Sequence, residues 1–276
     1  MKNDSKCPGC NASVGDVIKQ VDGYDLFRCP SCTLIFVPSE CVSSVNYDEL
    51  YDANAHYRAH VMEVDAIKDG RRTRFSKARR LALDMIKELQ PNSLLEVGCG
   101  VGNFLSWIEM FGIDCCGVDV SEEAISLAKS HLECPLHAGE LNRAVFEGKT
   151  FEVVCAWEVF EHVLDTEEFL SNAYERIEAK GHLFMSTPNY ESSWLWNDIE
   201  ADPRGVPPIH LRFWNERAIR NVLVRLGFDQ INVKHCSIPL RPAIRSSSRL
   251  SRYLVIPDAL FRASQRRTLL VHARKT

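Results

Sequence analysis

Three groups of residues in this 276-residue chain have types and spacing suited to chemistry. The first is a pair of Cys-x-x-Cys segments, Cys7-Pro8-Gly9-Cys10 and Cys29-Pro30-Ser31-Cys32, separated by 18 residues. That spacing fits a structural zinc site, in which four thiolates close a tetrahedron and leave no coordination position for a reaction. A short segment with few apolar residues needs such a staple to fold. The second is the run Glu96-Val97-Gly98-Cys99-Gly100-Val101-Gly102, with Asp119 downstream in Gly117-Val118-Asp119-Val120-Ser121. Glycines allow a tight turn and close approach of a ligand to the backbone. A dinucleotide fingerprint would need glycine at position 103, where Asn103 stands. The acid Glu96 before the first glycine disfavours a pyrophosphate and suits a ligand with a cationic amine. Asp119 can accept hydrogen bonds from ribose hydroxyls.

The third group is Glu158-Val159-Phe160-Glu161-His162, with His210 in Pro208-Ile209-His210-Leu211-Arg212-Phe213-Trp214. At helical spacing Glu158, Glu161 and His162 share a face. Three readings are open. His162 takes a proton from a substrate hydroxyl as a general base, since its pKa lies near working pH. Alternatively Glu158, Glu161, His162 and His210 hold a divalent cation such as Mg2+ that orients and acidifies the hydroxyl. In the third, Glu161 and His162 only shape the loop under a bound cofactor.

The elements that must position these groups alternate. Residues 71–90 carry a helical apolar pattern that stops at Pro91. Strands are expected at 93–97, 115–120, 135–138, 151–156, 182–186, 229–236 and 268–273. Helices are expected at 103–111, from the Ser121 cap to about Leu132, at 167–178 behind a Thr166 cap with a stop at Gly181, and at 215–226 before Gly227. Such alternation predicts an α/β fold with a parallel-rich sheet covered on both faces. The organisation expected is a zinc ribbon over 1–40, a linker or lid over 41–70 with Tyr47, Tyr51 and Tyr57, and one large domain over 71–276.

The residues from Glu96 to Gly102, Asp119, Gly139-Glu140, the segment Phe151 to Val163 and Ser186-Thr187-Pro188-Asn189 occur together in one order. In this they resemble class I S-adenosylmethionine methyltransferases, over about residues 75–235. The resemblance implies a Rossmann-like sheet of seven strands, one of them antiparallel. It implies that Gly98, Gly100 and Gly102 line the methionine moiety with Glu96 near its end. Asp119 would hold the ribose with Val120 beside it, Glu140 and Leu141 would lie near the adenine, and Trp157 would flank the cofactor. Glu152 stands where relatives usually have aspartate. The run from Glu158 to His162 with His210 is similar to ubiquinone-pathway and small-RNA 2′-O-methyltransferases. The N-terminus resembles zinc-ribbon methyltransferases of sugar, polysaccharide and natural-product pathways. Sugar C-methyltransferases of that group carry a large additional C-terminal domain, which is not expected within these 276 residues, so deoxysugar C-methylation is not the expected reaction.

The expected function is therefore methylation of a hydroxyl on a small molecule or glycan precursor. Two alternatives stand beside it: an RNA methyltransferase using the ribbon and a basic C-terminal tail, and an inactive zinc-ribbon binding protein. The net charge of −4 gives no general attraction to nucleic acid, while residues 241–276 hold nine Arg or Lys against the single acid Asp258. Trp194 and Trp196 sit in a loop of residues 190–208 that is expected to be a substrate lid. Of the 11 cysteines, the seven outside the two pairs read as buried apolar residues of a reducing compartment. Without an apolar leader or a run of about 18 apolar residues, a cytoplasmic location is expected.

Overall fold

The computed structural model describes residues 6–14, 16–42, 64, 67, 76–191, 205–236 and 268–276. The tyrosines of the 41–70 segment, the tryptophans of the 190–208 loop and most of the basic tail lie outside them.

The chain opens with strands β1 (Val17–Val21), β2 (Tyr24–Arg28) and β3 (Ile35–Phe36) and a single 3-10 turn, Ser39–Cys41. There follow α1 (Lys77–Leu89), β4 (Ser93–Val97), α2 (Asn103–Met110), β5 (Asp114–Asp119), α3 (Glu122–Ala128), β6 (Leu136–Ala138), β7 (Phe151–Trp157), α4 (Thr166–Arg176) and β8 (Ile177–Pro188). The last elements are β9 (Arg212–Phe213), α5 (Glu216–Arg225), β10 (Phe228–Cys236) and β11 (Thr268–Lys275).

Seven strands form one sheet in the order β10-β11-β8-β7-β4-β5-β6. The strands β8, β7, β4, β5 and β6 pair in parallel, and β11 runs antiparallel to both β8 and β10. The central strands are buried on both faces, which explains their continuous apolar sequences. One face packs on α1 and α2 through Leu94, Val153, Cys155 and Phe184 against Ile86, Phe104 and Ile108. The other packs on α4 and α5 through Val154, Leu183, Met185 and Val271 against Leu170, Ile219 and Leu223.

The second sheet has the order β1-β2-β3-β9. Its last strand comes from residues 212–213, so the cysteine-punctuated segment completes its sheet with a strand from the far side of the chain. Leu34 and Phe36 belong to the same apolar cluster as the α4–α5 face of the large sheet. Among the described residues no helix is long and apolar enough to cross a membrane.

Several local expectations shift. Helix α4 is capped by Asp165, whose carboxylate accepts from the Glu168 N–H at 2.9 Å, one residue before the expected Thr166. That helix ends at Arg176 rather than at Glu178, and β8 begins at once, so Gly181 lies inside a strand. A Cβ at Gly181 would stand 2.8 Å from the Ile177 side chain and 2.9 Å from the Glu152 carbonyl, which reads as close packing and not as a helix stop. Helix α3 ends at Ala128, short of Leu132. Cys41 is exposed and Cys134 half-buried, unlike the other scattered cysteines.

Candidate active site

The glycine loop hangs between β4 and β5. The N–H groups of Gly98 and Cys99 donate to the Val118 carbonyl at 2.8 and 3.1 Å. Asp119, at the end of β5, accepts from Gly100 N–H at 2.7 Å and from Ser121 N–H at 3.0 Å, so its carboxylate ties the loop to the start of α3. Gly98 has φ +72°, and a Cβ there would lie 2.3 Å from Val159. The glycine loop thus rests directly on the turn that follows β7. Gly100, with φ +53°, faces open space, where a ligand can approach the backbone.

Glu96 sits beneath this loop with 2% exposure, and its Oε2 has no hydrogen-bond partner. Burial pushes its carboxyl up to about 8, Asp119 adds to the rise, and Arg79 opposes it. A buried, unsatisfied carboxylate is costly unless a cation meets it. The α-ammonium of an S-adenosylmethionine methionine moiety is such a cation, so this donor set fits that cofactor. Val120 is 47% exposed at the rim, Glu140 is exposed, and Leu141 is buried with its carbonyl accepting from Asn172. Trp157 is buried and meets Phe104 edge-on at 4.9 Å.

The turn after β7 is not helical. Glu158 adopts φ +56°, a left-handed conformation uncommon for a residue with a side chain, and this breaks the expected i, i+3, i+4 face. Its carboxylate accepts from the Ser186 hydroxyl at 2.6 Å and does not join the other three residues. Glu161, His162 and His210 do converge, with their ligand atoms within 4.8 Å of one another. Glu161 is buried, and its Oε2 accepts from the Thr187 hydroxyl at 3.0 Å. Burial, and next the Glu158 charge, hold its carboxyl well above the ordinary range. His162 Nδ1–H donates to the Ile209 carbonyl at 2.8 Å, so in the neutral ring the basic lone pair is on Nε2, 3.8 Å from Glu161 Oε1. Burial lowers the His162 pKa, while the Ile209 and Glu158 carbonyls partly offset this. The Tyr190 hydroxyl meets His210 Nδ1, and the two histidine rings lie edge to face at 4.7 Å.

The supporting roles of Ser186, Thr187, Tyr190 and Arg212 were not legible in the sequence. Ser186 and Thr187 were visible as part of a motif, but nothing in their spacing showed which acid each would meet.

The four cysteines also converge within 4.8 Å. The two Cys-x-x-Cys turns repeat one backbone design. Asn11 N–H donates to Cys7 O and Cys7 N–H to Ala12 O, just as Thr33 N–H donates to Cys29 O and Cys29 N–H to Leu34 O. Asn11 and Thr33 both have positive φ, at 61° and 62°. Gly9 N–H points at Cys7 Sγ and Cys32 N–H at Cys29 Sγ, donors that stabilise thiolate charge. The Cys7 and Cys32 sulfurs meet at 3.4 Å, and this hydrogen bond, against burial, pulls the Cys32 thiol down to about 5. A tetrahedral, thiolate-binding ion such as zinc fits this set.

A family described as "Methyltransferase domain" matches residues 70–233. A ubiquinone biosynthesis O-methyltransferase of Coxiella burnetii is 30% identical over 120 residues, which is 41% of this chain and 51% of that protein. The corresponding protein of Sinorhizobium medicae is 31% identical over 101 residues, 35% of this chain and 41% of the relative. The chain thus spans about half the length of the curated relatives it matches. Among solved structures, an S-adenosylmethionine-dependent methyltransferase from Archaeoglobus fulgidus superposes with a TM-score of 0.52 at 19% identity, covering 71% of this chain and 94% of that one. The plantazolicin methyltransferase BamL superposes with a TM-score of 0.51 at 15% identity, covering 83% and 88%. Fold, strand order and family match agree: the chain belongs to the methyltransferase domain family, with the Rossmann-like sheet of S-adenosylmethionine-dependent enzymes.

Proposed function

We propose that this chain methylates a hydroxyl of a small molecule or glycan precursor, using S-adenosylmethionine, and that Glu161, His162 and His210 face the acceptor. The observation that carries this reading is their convergence within 4.8 Å beside the turn whose Val159 packs against Gly98 of the cofactor loop. S-Adenosylmethionine, when bound, supplies an already activated methyl group on a sulfonium, so alignment of the acceptor oxygen does much of the work. Glu96 holds the amino end, Gly98, Gly100 and Gly102 leave room along the methionine, and Asp119 and Val120 take the ribose and its surroundings. Glu140, Leu141 and Trp157 complete the walls. The curated relatives, named as O-methyltransferases of ubiquinone biosynthesis, support a hydroxyl acceptor.

The cluster would also hold a divalent cation. One buried carboxylate with two imidazoles suits Mn2+, Fe2+ or Co2+ better than the Mg2+ expected from sequence, because Mg2+ takes oxygen ligands. Such an ion would polarise the acceptor hydroxyl. A second reading is favoured by the His162 tautomer: with Nδ1–H given to Ile209, Nε2 is oriented as a general base. Zinc at Cys7, Cys10, Cys29 and Cys32 is structural in this proposal.

Calorimetry on the purified chain separates these readings. S-Adenosylhomocysteine is titrated first, then Mn2+ and Mg2+, with Glu161→Gln as control. Mn2+ binding abolished in Glu161→Gln supports the cation, and catechols and vicinal diols are then screened as acceptors. No Mn2+ binding leaves His162 as base or alignment of the acceptor alone. No binding of the homocysteine product overturns the cofactor assignment.

A further inference from the structure

We propose that the cysteine module positions the reaction cluster, and that Arg212 is the residue through which it does so. This rests on the reading that Glu161, His162 and His210 face the acceptor.

Leu211 joins the two regions through its own peptide groups. Its N–H donates to the Glu161 carbonyl at 2.9 Å, and its carbonyl accepts from Val37 N–H at 3.0 Å. Next to it Arg212 N–H also donates to the Glu161 carbonyl, at 3.1 Å, and β9 pairs with β3 in the register Phe36 to Arg212 and Ile35 to Phe213. The Arg212 side chain is 1% exposed. One amino group of its guanidinium donates to the carbonyls of Val37 and Leu211. The other donates to the Ser39 hydroxyl at 2.9 Å and to the Leu164 carbonyl at 2.6 Å. A single planar fork therefore ties the exit of the cysteine module to the end of the turn carrying Glu161 and His162. Lysine, a point charge with three donors, cannot span those acceptors in one plane.

The tie is reinforced on both sides. Trp214 stacks on Phe160 at 4.2 Å and donates its indole N–H to the Phe160 carbonyl at 3.0 Å. Asn215 donates to the Thr33 hydroxyl of the second cysteine turn at 3.0 Å. His162 and His210 lie on the two segments so joined, and the bond from His162 to Ile209 closes the junction between them. The path is contiguous: thiolate-bound ion, cysteine turns, β3, β9, then Glu161, His162 and His210. The glycine loop takes its backbone bonds from β5 and meets this path where Gly98 rests on Val159. Metal occupancy at the cysteines should thus govern the acceptor side of the site far more than the cofactor side, whose loop is held by its own bonds to β5.

Hydrogen exchange of the full chain tests this without needing an acceptor or a catalytic cation. It is measured with zinc bound, after removal by a chelator, and after return of Zn2+, Cd2+ or Mg2+. On zinc removal, peptides covering 158–164 and 205–214 are expected to exchange about tenfold faster, with 93–120 unchanged. Affinity for S-adenosylhomocysteine should stay within about twofold. Zn2+ and Cd2+, which bind thiolates, should restore protection, and Mg2+ should not. In 15N spectra the His162 ring, held as the Nδ1–H tautomer while zinc is bound, should become a tautomer mixture. Arg212→Lys with zinc still bound should reproduce the opening at 158–164 and 205–214. Faster exchange confined to residues 6–37, or equal acceleration along the whole chain, overturns the proposal. An Arg212→Lys protein with unchanged exchange removes Arg212 as the link. If the acceptor reading fails instead, Mn2+ and hydroxyl substrates are inert while the exchange coupling persists.

Discussion

At the scale of single residues, Glu96 sets stability against cofactor binding. Its carboxyl is pushed from the ordinary 4.5 to about 8, so between those values the folded chain keeps a proton that the unfolded chain has released. Folding stability from this group therefore falls as pH rises across that window. Cofactor affinity should run the other way, since an ionised Glu96 is the form that pairs with an ammonium. Glu96→Gln should raise the melting temperature at neutral pH by a few degrees and weaken S-adenosylhomocysteine binding about ten- to hundredfold, with both pH slopes flattened. Thermal melts and calorimetry between pH 5 and pH 9 (about the span of the window) read both effects. A variant that binds as tightly as the parent would show that Glu96 does not meet the cofactor.

Elements explain why some of the site was legible and some was not. The cysteine spacing, the glycine run and the acid at the end of β5 are local patterns, and the backbone places them together. The strands followed from apolar runs separated by capped helices, and the seven-stranded sheet from the family resemblance. Glu158 was misplaced because helical spacing was assumed where a left-handed residue turns the chain. The strand β9 was invisible because two residues carry no period, and its pairing is fixed by tertiary contacts such as the Arg212 bonds and Phe213 packing on Tyr190 at 4.7 Å. Asp165→Ala removes the α4 cap and should cost about 0.5–2 kcal/mol in urea unfolding. Trp214→Phe keeps the ring stack on Phe160 but leaves that carbonyl without its donor, and should cost about 1–3 kcal/mol by the same measurement.

For the whole molecule, the repeated cysteine turns predict one tightly held zinc per chain. Metal analysis of the purified protein should find it. A mercurial titration that displaces it should expose the four shielded thiols together rather than one by one. Zinc loss before any thiol reacts, or a chain isolated without metal yet fully folded, would argue against a structural ion.

The shared strand β9 bears on how portable these parts are. Modules joined by a tether can be cut apart or exchanged, because each keeps its own hydrogen-bonded edges. Here, a chain trimmed to begin at residue 71 would lose every acceptor that Val37 and Ser39 give Arg212. It would bare the edge of β9 and uncover the α5 surface that Gly9 and Leu34 now approach. An open strand edge beside fresh apolar surface is a template for aggregation. Grafting this ribbon onto another enzyme, or this catalytic sheet onto another ribbon, would have to carry residues 205–215 along with it.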